Sequence, residues 1–367
     1  MTTIFLVDLE SVETRYTGQW KLHVPGLLKK EGHNVEIISG PTDIPSATTP
    51  GAFLNFGGTN IYKSSQVEQI SRLFCSGRIQ TGDHFLFTDA WHPGIINLKY
   101  MSELLGIPVK IHALWHAGSY DPQDFLGRLI GNAPWVRYAE KSFFHAIDYN
   151  YFATNFHIEM FMRNLLNDGM VTENPWFEED LEEVLNGEHS MIVRTGWPME
   201  YMDDILTPYK NMPKKDLIIF PHRLAPEKQV NIFRDLKEQL PQYEFVVCQD
   251  HQLTKNEYHN LLGQAKIVFS ANLQETLGIS CYEGALVDAI PVVPDRLSYS
   301  EMYNEGFKYP SKWTESFDSY LVYRQELCHH IIVTMTHYEK RISQVRKLAN
   351  DLTEHYFSAE KLLENLR

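Results

Sequence analysis

Residues Ile267 to Val293 read IVFSANLQETLGISCYEGALVDAIPVV, and their order decides the fold. Ile267 to Ser270 is an apolar run of strand length, followed by a polar loop through Glu275. Gly278 stands where a helix begins, the helix near Ile279 to Val287 follows, and Ile290 to Val293 is a second apolar run. Parallel strands need a helical crossover, so a strand, a helix and a strand in this order point to a parallel α/β sheet.

The same alternation extends in both directions. Upstream, a strand at Leu217 to Phe220, a helix near Gln229 to Gln239, a strand at Glu244 to Cys248 and a helix near Thr254 to Leu262 complete a second-half sheet. The first half repeats the pattern with strands at Ile4 to Val7, Val35 to Ile38, Phe53 to Asn55, His84 to Phe87, Val109 to Ala113, Tyr149 to Ala153 and Met191 to Arg194. Helices are expected between them, from Gln19 to Lys30, Val67 to Phe74, Ile95 to Leu105, Tyr138 to Ala146 and Ile158 to Leu166. The stretch Glu173 to His189 is acidic and aromatic and reads as a solvated insertion. The expected domains are 1–195, a Pro- and Lys-rich linker 196–214, a second domain 215–312 and terminal helices 313–367 that pack back on the domains.

With 367 residues, the chain exceeds the roughly 150-residue scale of one domain. Hydrophobic residues make up 43% and charged residues 22%, which excludes a disordered chain. A net charge of -14 opposes phosphate polymers at long range, so nucleic acid contact would have to rest on a local basic groove. Asp8 and Glu10 interrupt the first apolar run, no stretch has the length of a membrane span, and the four cysteines are scattered without a CxxC pair. A soluble chain in the cytoplasm with reduced thiols is expected.

Ligands of open α/β sheets bind beyond the carboxyl ends of the strands, which directs attention to three loops. In PHRLAPEK, Pro221 to Lys228, an Arg and a Lys stand five apart after a strand. They suit a clamp on a diphosphate, Arg as a planar fork and Lys as a point charge. In the loop after Ser270, the start of a helix at Gly278 offers unpaired N–H groups to phosphate oxygens, with Thr276 and Leu277 beside it. Glu275 and Glu283 stand eight apart, and a carboxylate one or two turns into the helix can accept both hydroxyls of a ribose. The third loop, ALWHAGSYD, carries His116, and the neighbouring DAWHPG carries His92. Asp89, Trp91, Tyr120 and Asp121 share these loops.

These loops resemble the retaining glycosyltransferases of the GT-B fold, specifically the group 1 family, through His222-Arg223-Leu224, Glu227-Lys228-Gln229, the Glu275 to Glu283 pair and Pro291-Val292-Val293. The sequence departs from the family where glycines give way to His222 and Gln229. The resemblance covers most of residues 215 to 305 and implies two Rossmann-like doubly wound domains facing a cleft, followed by C-terminal helices. It implies that Arg223 and Lys228 hold the donor diphosphate, Glu283 the ribose and Glu275 the transferred sugar. TGQWKLHVPGLLKKEGHNV is similar to the family's glycine loop and helix, which makes Gly18 a donor-binding position, and His116 matches a histidine often found after a later strand.

The implied reaction is glycosyl transfer from a nucleoside diphosphate sugar, with UDP-sugar expected, to a hydroxyl with retention. Arg223, Lys228, Glu275 and His116 are its catalytic candidates. No metal is expected, because no Asp-x-Asp motif occurs. The chain also looks similar to phage-type enzymes that glycosylate hydroxymethylated bases in DNA. On that reading His92, Arg128, Arg137 and Lys141 bind the acceptor, with Trp135, Tyr138 and Phe143 interleaved. A glycan or small-molecule acceptor, a sugar-nucleotide epimerase and a non-catalytic nucleotide-sugar binding protein are the alternatives, and the sequence assigns no oligomeric state.

Overall fold

A computed structural model of the chain describes residues 2–11, 16–45, 47, 54–131, 133–166 and 191–367. The acidic stretch 173–189 and Phe53 lie outside the described residues. The chain divides into two units, Met1–Pro198 with Ala359–Arg367, and Met199–Ser358.

The first unit holds strands β1 (Thr3–Val7), β2 (Asn34–Ile38), β3 (His84–Phe87), β4 (Lys110–Leu114), β5 (Tyr149–Phe152) and β6 (Met191–Arg194). They form one parallel sheet in the order β2-β1-β3-β4-β5-β6. Phe5, Val7, Phe85, Phe87, Ile111 and Ala113 are essentially inaccessible, as expected where helices cover both faces of a parallel sheet. The helices are α1 (Tyr16–Lys30), α2 (Phe56–Cys75), α3 (Gly94–Leu105), α4 (Phe125–Ile130), α5 (Pro134–Ala146) and α6 (Asn155–Phe161).

Two local expectations are corrected here. Leu54 and Asn55 are not in a strand; the Asn55 side chain accepts from Gly58 N–H at 2.8 Å and so starts α2 eleven residues earlier than the apolar pattern suggested. Gly18 lies inside the first turn of α1 rather than in a loop. The helix begins at Tyr16 because Trp20, Val24 and Leu28 place one buried stripe at helical spacing from Thr17 onward.

The second unit opens with α7 (Tyr201–Leu206), inside the stretch read as a linker. Strands β7 (Lys215–Phe220), β8 (Glu244–Val247), β9 (Ala265–Phe269), β10 (Ile290–Pro294) and the two-residue β11 (Lys308–Tyr309) form a parallel sheet in the order β11-β10-β9-β7-β8. Helices α8 (Val230–Gln239), α9 (Lys255–Gln264), α10 (Ile279–Leu286), α11 (Ser298–Met302), α12 (Phe317–Thr336) and α13 (Tyr338–Tyr356) complete it. The start of α9 is fixed by a capping box, in which Thr254 and Glu257 satisfy each other's backbone N–H. Helix α13 packs on α10 and β10, and Tyr282 stacks on Phe357 with ring centroids 3.7 Å apart. The short α14 (Glu360–Glu364) belongs to the first unit.

Each sheet has a point where successive connections leave in opposite directions: between β1 and β3 in the first and between β7 and β9 in the second. The loops after those strands open a crevice there, where ligands of this architecture bind.

Candidate functional site

In the second unit the two loops at the switch point are tied together by Leu273 N–H, which donates to Glu227 O at 2.8 Å. Arg223 follows β7 and forks onto Glu227 through Nε at 3.1 Å and through Nη2. The Glu227 carboxylate is buried, whereas the Arg223 side chain is 34% exposed. Lys228 is buried, with its ammonium on Gln274 O and 3.4 Å from Glu275 Oε2.

Glu275 is the centre of this site. Its Oε1 accepts from Gly278 N–H at 3.0 Å and, more weakly, from Leu277 N–H at 3.5 Å. Its Oε2 accepts from Asn272 Nδ2 at 3.2 Å. Burial pushes the carboxyl upward, but the Lys228 ammonium and the two N–H groups outweigh it and leave Glu275 below the ordinary carboxylate range. The backbone donors expected to face a phosphate therefore exist and converge, and in this state they hold a carboxylate of the chain itself.

Gly278 has φ +76, and a Cβ there would meet the Tyr299 ring at 2.7 Å. The position thus needs glycine both for its backbone and for the ring behind it. Thr276 and Leu277 are buried beside it. Glu283, one turn into α10, is 5% exposed and accepts from the Tyr258 hydroxyl at 2.8 Å, which orients its carboxylate.

The two departures from family glycines have structural accounts. Gln229 takes φ 53, the left-handed region that a glycine would occupy without strain. Its amide compensates by donating to Ala271 O at 2.7 Å and Thr314 O at 2.6 Å. His222 is buried, with Nε2 on Phe269 O at 3.2 Å and Nδ1 3.4 Å from Ser280 Oγ. Burial lowers its pKa to about 3, so the ring is neutral and acts as a spacer under the start of α10.

In the first unit the loops after β1, β3 and β4 surround a cavity of about 180 Å³. His116 forms part of its wall, with Nδ1 2.6 Å from the Tyr16 hydroxyl and Nε2 2.6 Å from Thr88 O. Because a carbonyl only accepts, Nε2 carries a proton and donates it to Thr88 O. The ring also packs against Trp20 and Trp197. Both nitrogens are thus engaged on the cavity wall.

Other sequence candidates fall outside this cavity wall. His92 is 2% exposed, with Nε2 on Gln66 Oε1 at 3.0 Å and Nδ1 accepting from Gly94 N–H at 2.9 Å, so both ring nitrogens are engaged below the surface. Tyr120 is buried with its hydroxyl 2.7 Å from His157 Nε2, and Asp121 turns back to accept from Gln123 N–H at 2.9 Å. Arg128 is on α4, bonded to Gln123 O, while Arg137 and Lys141 are one turn apart on α5, with Arg137 on Asn164 O. Trp135 and Tyr138 are exposed, but Phe143 is buried edge-on against Trp91 and leaves the proposed strip.

Three residues were not legible as site residues. Lys63, on α2, donates to Asp89 Oδ2 at 2.7 Å and to Trp91 O. Burial pushes Asp89 upward, but this ammonium, together with His116 and the Trp91 N–H, holds the carboxyl at about 2. Glu140, inaccessible on α5, accepts from Trp91 Nε1 at 2.8 Å and from Ser119 N–H at 2.7 Å, and so fixes both loops. Glu10, three residues after the end of β1, is on the cavity wall. Sequence alone separates Lys63 from Asp89 by 26 positions, and Glu140 looks like one more polar residue of an amphipathic helix.

Two parallel doubly wound sheets of this kind are the GT-B fold. The catalytic domain of starch synthase IV from Arabidopsis thaliana, solved with ADP and acarbose, is similar at a TM-score of 0.58 and 10% identity, over 100% of this chain and 97% of that one. Sucrose-phosphate synthase from Thermosynechococcus elongatus is similar at 0.56 and 11%, over 100% and 97%. The Anabaena protein HepE in complex with UDP is similar at 0.54 and 11%, over 100% and 98%. No family model and no curated protein sequence matches the chain. Among the described residues, no helix is long and apolar enough to cross a membrane.

Proposed function

We propose that the chain is a glycosyltransferase that moves a sugar from a nucleoside diphosphate sugar, with uridine the expected base, to a hydroxyl group with retention of configuration. The observation that carries this reading is the convergence of Lys228 and the N–H groups of Leu277 and Gly278 on Glu275 at the switch of the second sheet, with Arg223 on the loop tied to it through Glu227. Neighbours in fold were solved with ADP or UDP, which agrees with a nucleotide at that point.

The chemistry follows from charge. When the glycosidic bond to the diphosphate breaks, negative charge grows on the leaving phosphate oxygens, and preorganised cations and N–H dipoles stabilise it. On this reading the diphosphate takes the Gly278 N–H and the Lys228 ammonium from Glu275, which frees the Glu275 carboxylate to accept from hydroxyls of the transferred sugar. Glu283, oriented by Tyr258, receives the ribose hydroxyls. Gly18, in the first turn of α1, keeps its expected place near the donor within the proposal. The first unit supplies the acceptor, and the cytoplasm is the proposed location.

For the acceptor we propose a hydroxymethylated pyrimidine in DNA. This rests on the resemblance to phage-type enzymes and on Arg128, Lys141, Trp135 and Tyr138, which lie at the surface of α4 and α5. Mass spectrometry of acceptor mixtures incubated with a panel of nucleoside diphosphate sugars tests the proposal. A mass increase of one sugar on hydroxymethylated DNA is expected. Interconversion of the donor without transfer supports an epimerase instead, and nucleotide binding without turnover supports a binding protein.

A further inference from the structure

We infer that the cavity of the first unit is a binding site for a neutral, ring-sized compound that presents a hydroxyl or amino hydrogen to Glu10. A cavity of about 180 Å³ is of the size that holds one six-membered ring with small substituents. Its walls are mainly apolar, with Leu54, Phe56, Trp91 and Phe125 among them. Two wall residues nevertheless carry buried polar atoms with no hydrogen-bond partner: Glu10 Oε2 and Thr17 Oγ1, in side chains of residues 8% and 5% exposed.

Such atoms are costly to bury unsatisfied, and in native proteins they mark the place of a missing partner. The other Glu10 oxygen accepts from the Thr59 hydroxyl, which fixes the carboxylate and leaves Oε2 as an acceptor. Thr17, at the start of α1, adds a hydroxyl that donates or accepts. An apolar wall with one fixed acceptor and one adaptable hydroxyl suits a ring with an apolar face and a polar edge.

Charge then selects among such rings. Among the described residues the cavity carries three carboxylates, Glu10, Asp89 and Asp124, against one ammonium, Lys63. Lys63 is already committed to Asp89 and to Trp91 O, while the Asp124 side chain caps α4 at Leu126 N–H. An anion placed inside the cavity meets like charge in a poorly solvated space, so a ring that carries its own charge into the cavity is rejected, whereas a phosphate left outside it is not. On the glycosyltransferase reading the bound compound is the sugar acceptor. That role rests on the reading, whereas the binding and its charge selection do not.

The test uses the full chain without nucleotide and four probes: 5-hydroxymethyl-2′-deoxycytidine and 5-carboxy-2′-deoxycytidine, and phenyl β-D-glucoside and phenyl β-D-glucuronide. Calorimetry is expected to show binding of at least one neutral probe and at least tenfold weaker binding of its carboxylate counterpart. Glu10→Gln, which preserves size and the acceptor for Thr59, and Thr17→Val, which preserves shape, are each expected to weaken that binding several-fold to tenfold, with circular dichroism and thermal unfolding confirming the fold. The inference is overturned if neither neutral probe binds, if the carboxylate forms bind as tightly, or if both variants keep wild-type affinity. UDP is titrated into a parallel sample: failure of UDP to bind, with neutral-probe binding intact, removes the acceptor role and leaves the site standing.

Discussion

The Arg223 guanidinium closes on the Glu227 carboxylate four residues later, joining a partly exposed cation to a buried anion at the carboxyl end of β7. The pair gives Arg223 two tasks, one toward the fold and one toward the proposed diphosphate. Arg223→Ala takes the guanidinium away from the buried Glu227 carboxylate, and the expected loss of stability is on the order of 1–3 kcal/mol, below the value for a fully buried pair because Arg223 is partly solvated. Adding Glu227→Gln to that variant should recover most of the stability in chemical denaturation. UDP affinity, in contrast, should fall about tenfold or more in both variants, since the phosphate has lost the same charged donor.

Gln229 separates backbone strain from side-chain bonding. Replacing it by alanine keeps the cost of positive φ and deletes the bonds to Ala271 O and Thr314 O. Replacing it by glycine deletes the same bonds but removes the strain. Gln229→Gly should therefore be more stable than Gln229→Ala by about 1 kcal/mol, as measured by urea denaturation. Equal stabilities would mean that the backbone at this position is not held left-handed in solution.

The Lys63 and Asp89 pair predicts a pH dependence with a definite sign. Asp89 is held at about 2 against an ordinary value of 3.8, so the unfolded chain binds the proton more readily. The stabilisation is fully present above pH 3.8 and is lost as pH falls toward 2. Its size is roughly 2 kcal/mol. Lys63→Met should abolish this acid-side loss, read as a flatter dependence of unfolding free energy on pH between 4 and 2. An unchanged slope would show that Asp89 draws its low pKa from other groups.

Much of this architecture is written in short apolar runs separated by helical periods, because parallel strands buried on both faces carry little else. The run Ile267 to Phe269 and the helix after Gly278 are legible for that reason. Leu54 and Asn55 misled because so short a run has no period, and the decisive feature was the side-chain cap at Asn55. Gly18 misled because a glycine beside a polar stretch reads as a loop, although a helix tolerates one when its neighbours bury a stripe. The diphosphate-binding candidates stand in order along the chain and were legible together. The cavity was not, because Glu10, Thr17, Lys63 and Asp89 meet only through the order of strands in the sheet.

Titration of the full chain with UDP, followed by structure determination of the complex, is the most direct measurement. The account predicts density for the diphosphate between Arg223 and Lys228, within hydrogen-bond distance of Gly278 N–H, with Glu275 turned away from that N–H and the ribose at Glu283. UDP bound elsewhere, or no UDP bound by a folded chain at millimolar concentration, would contradict it.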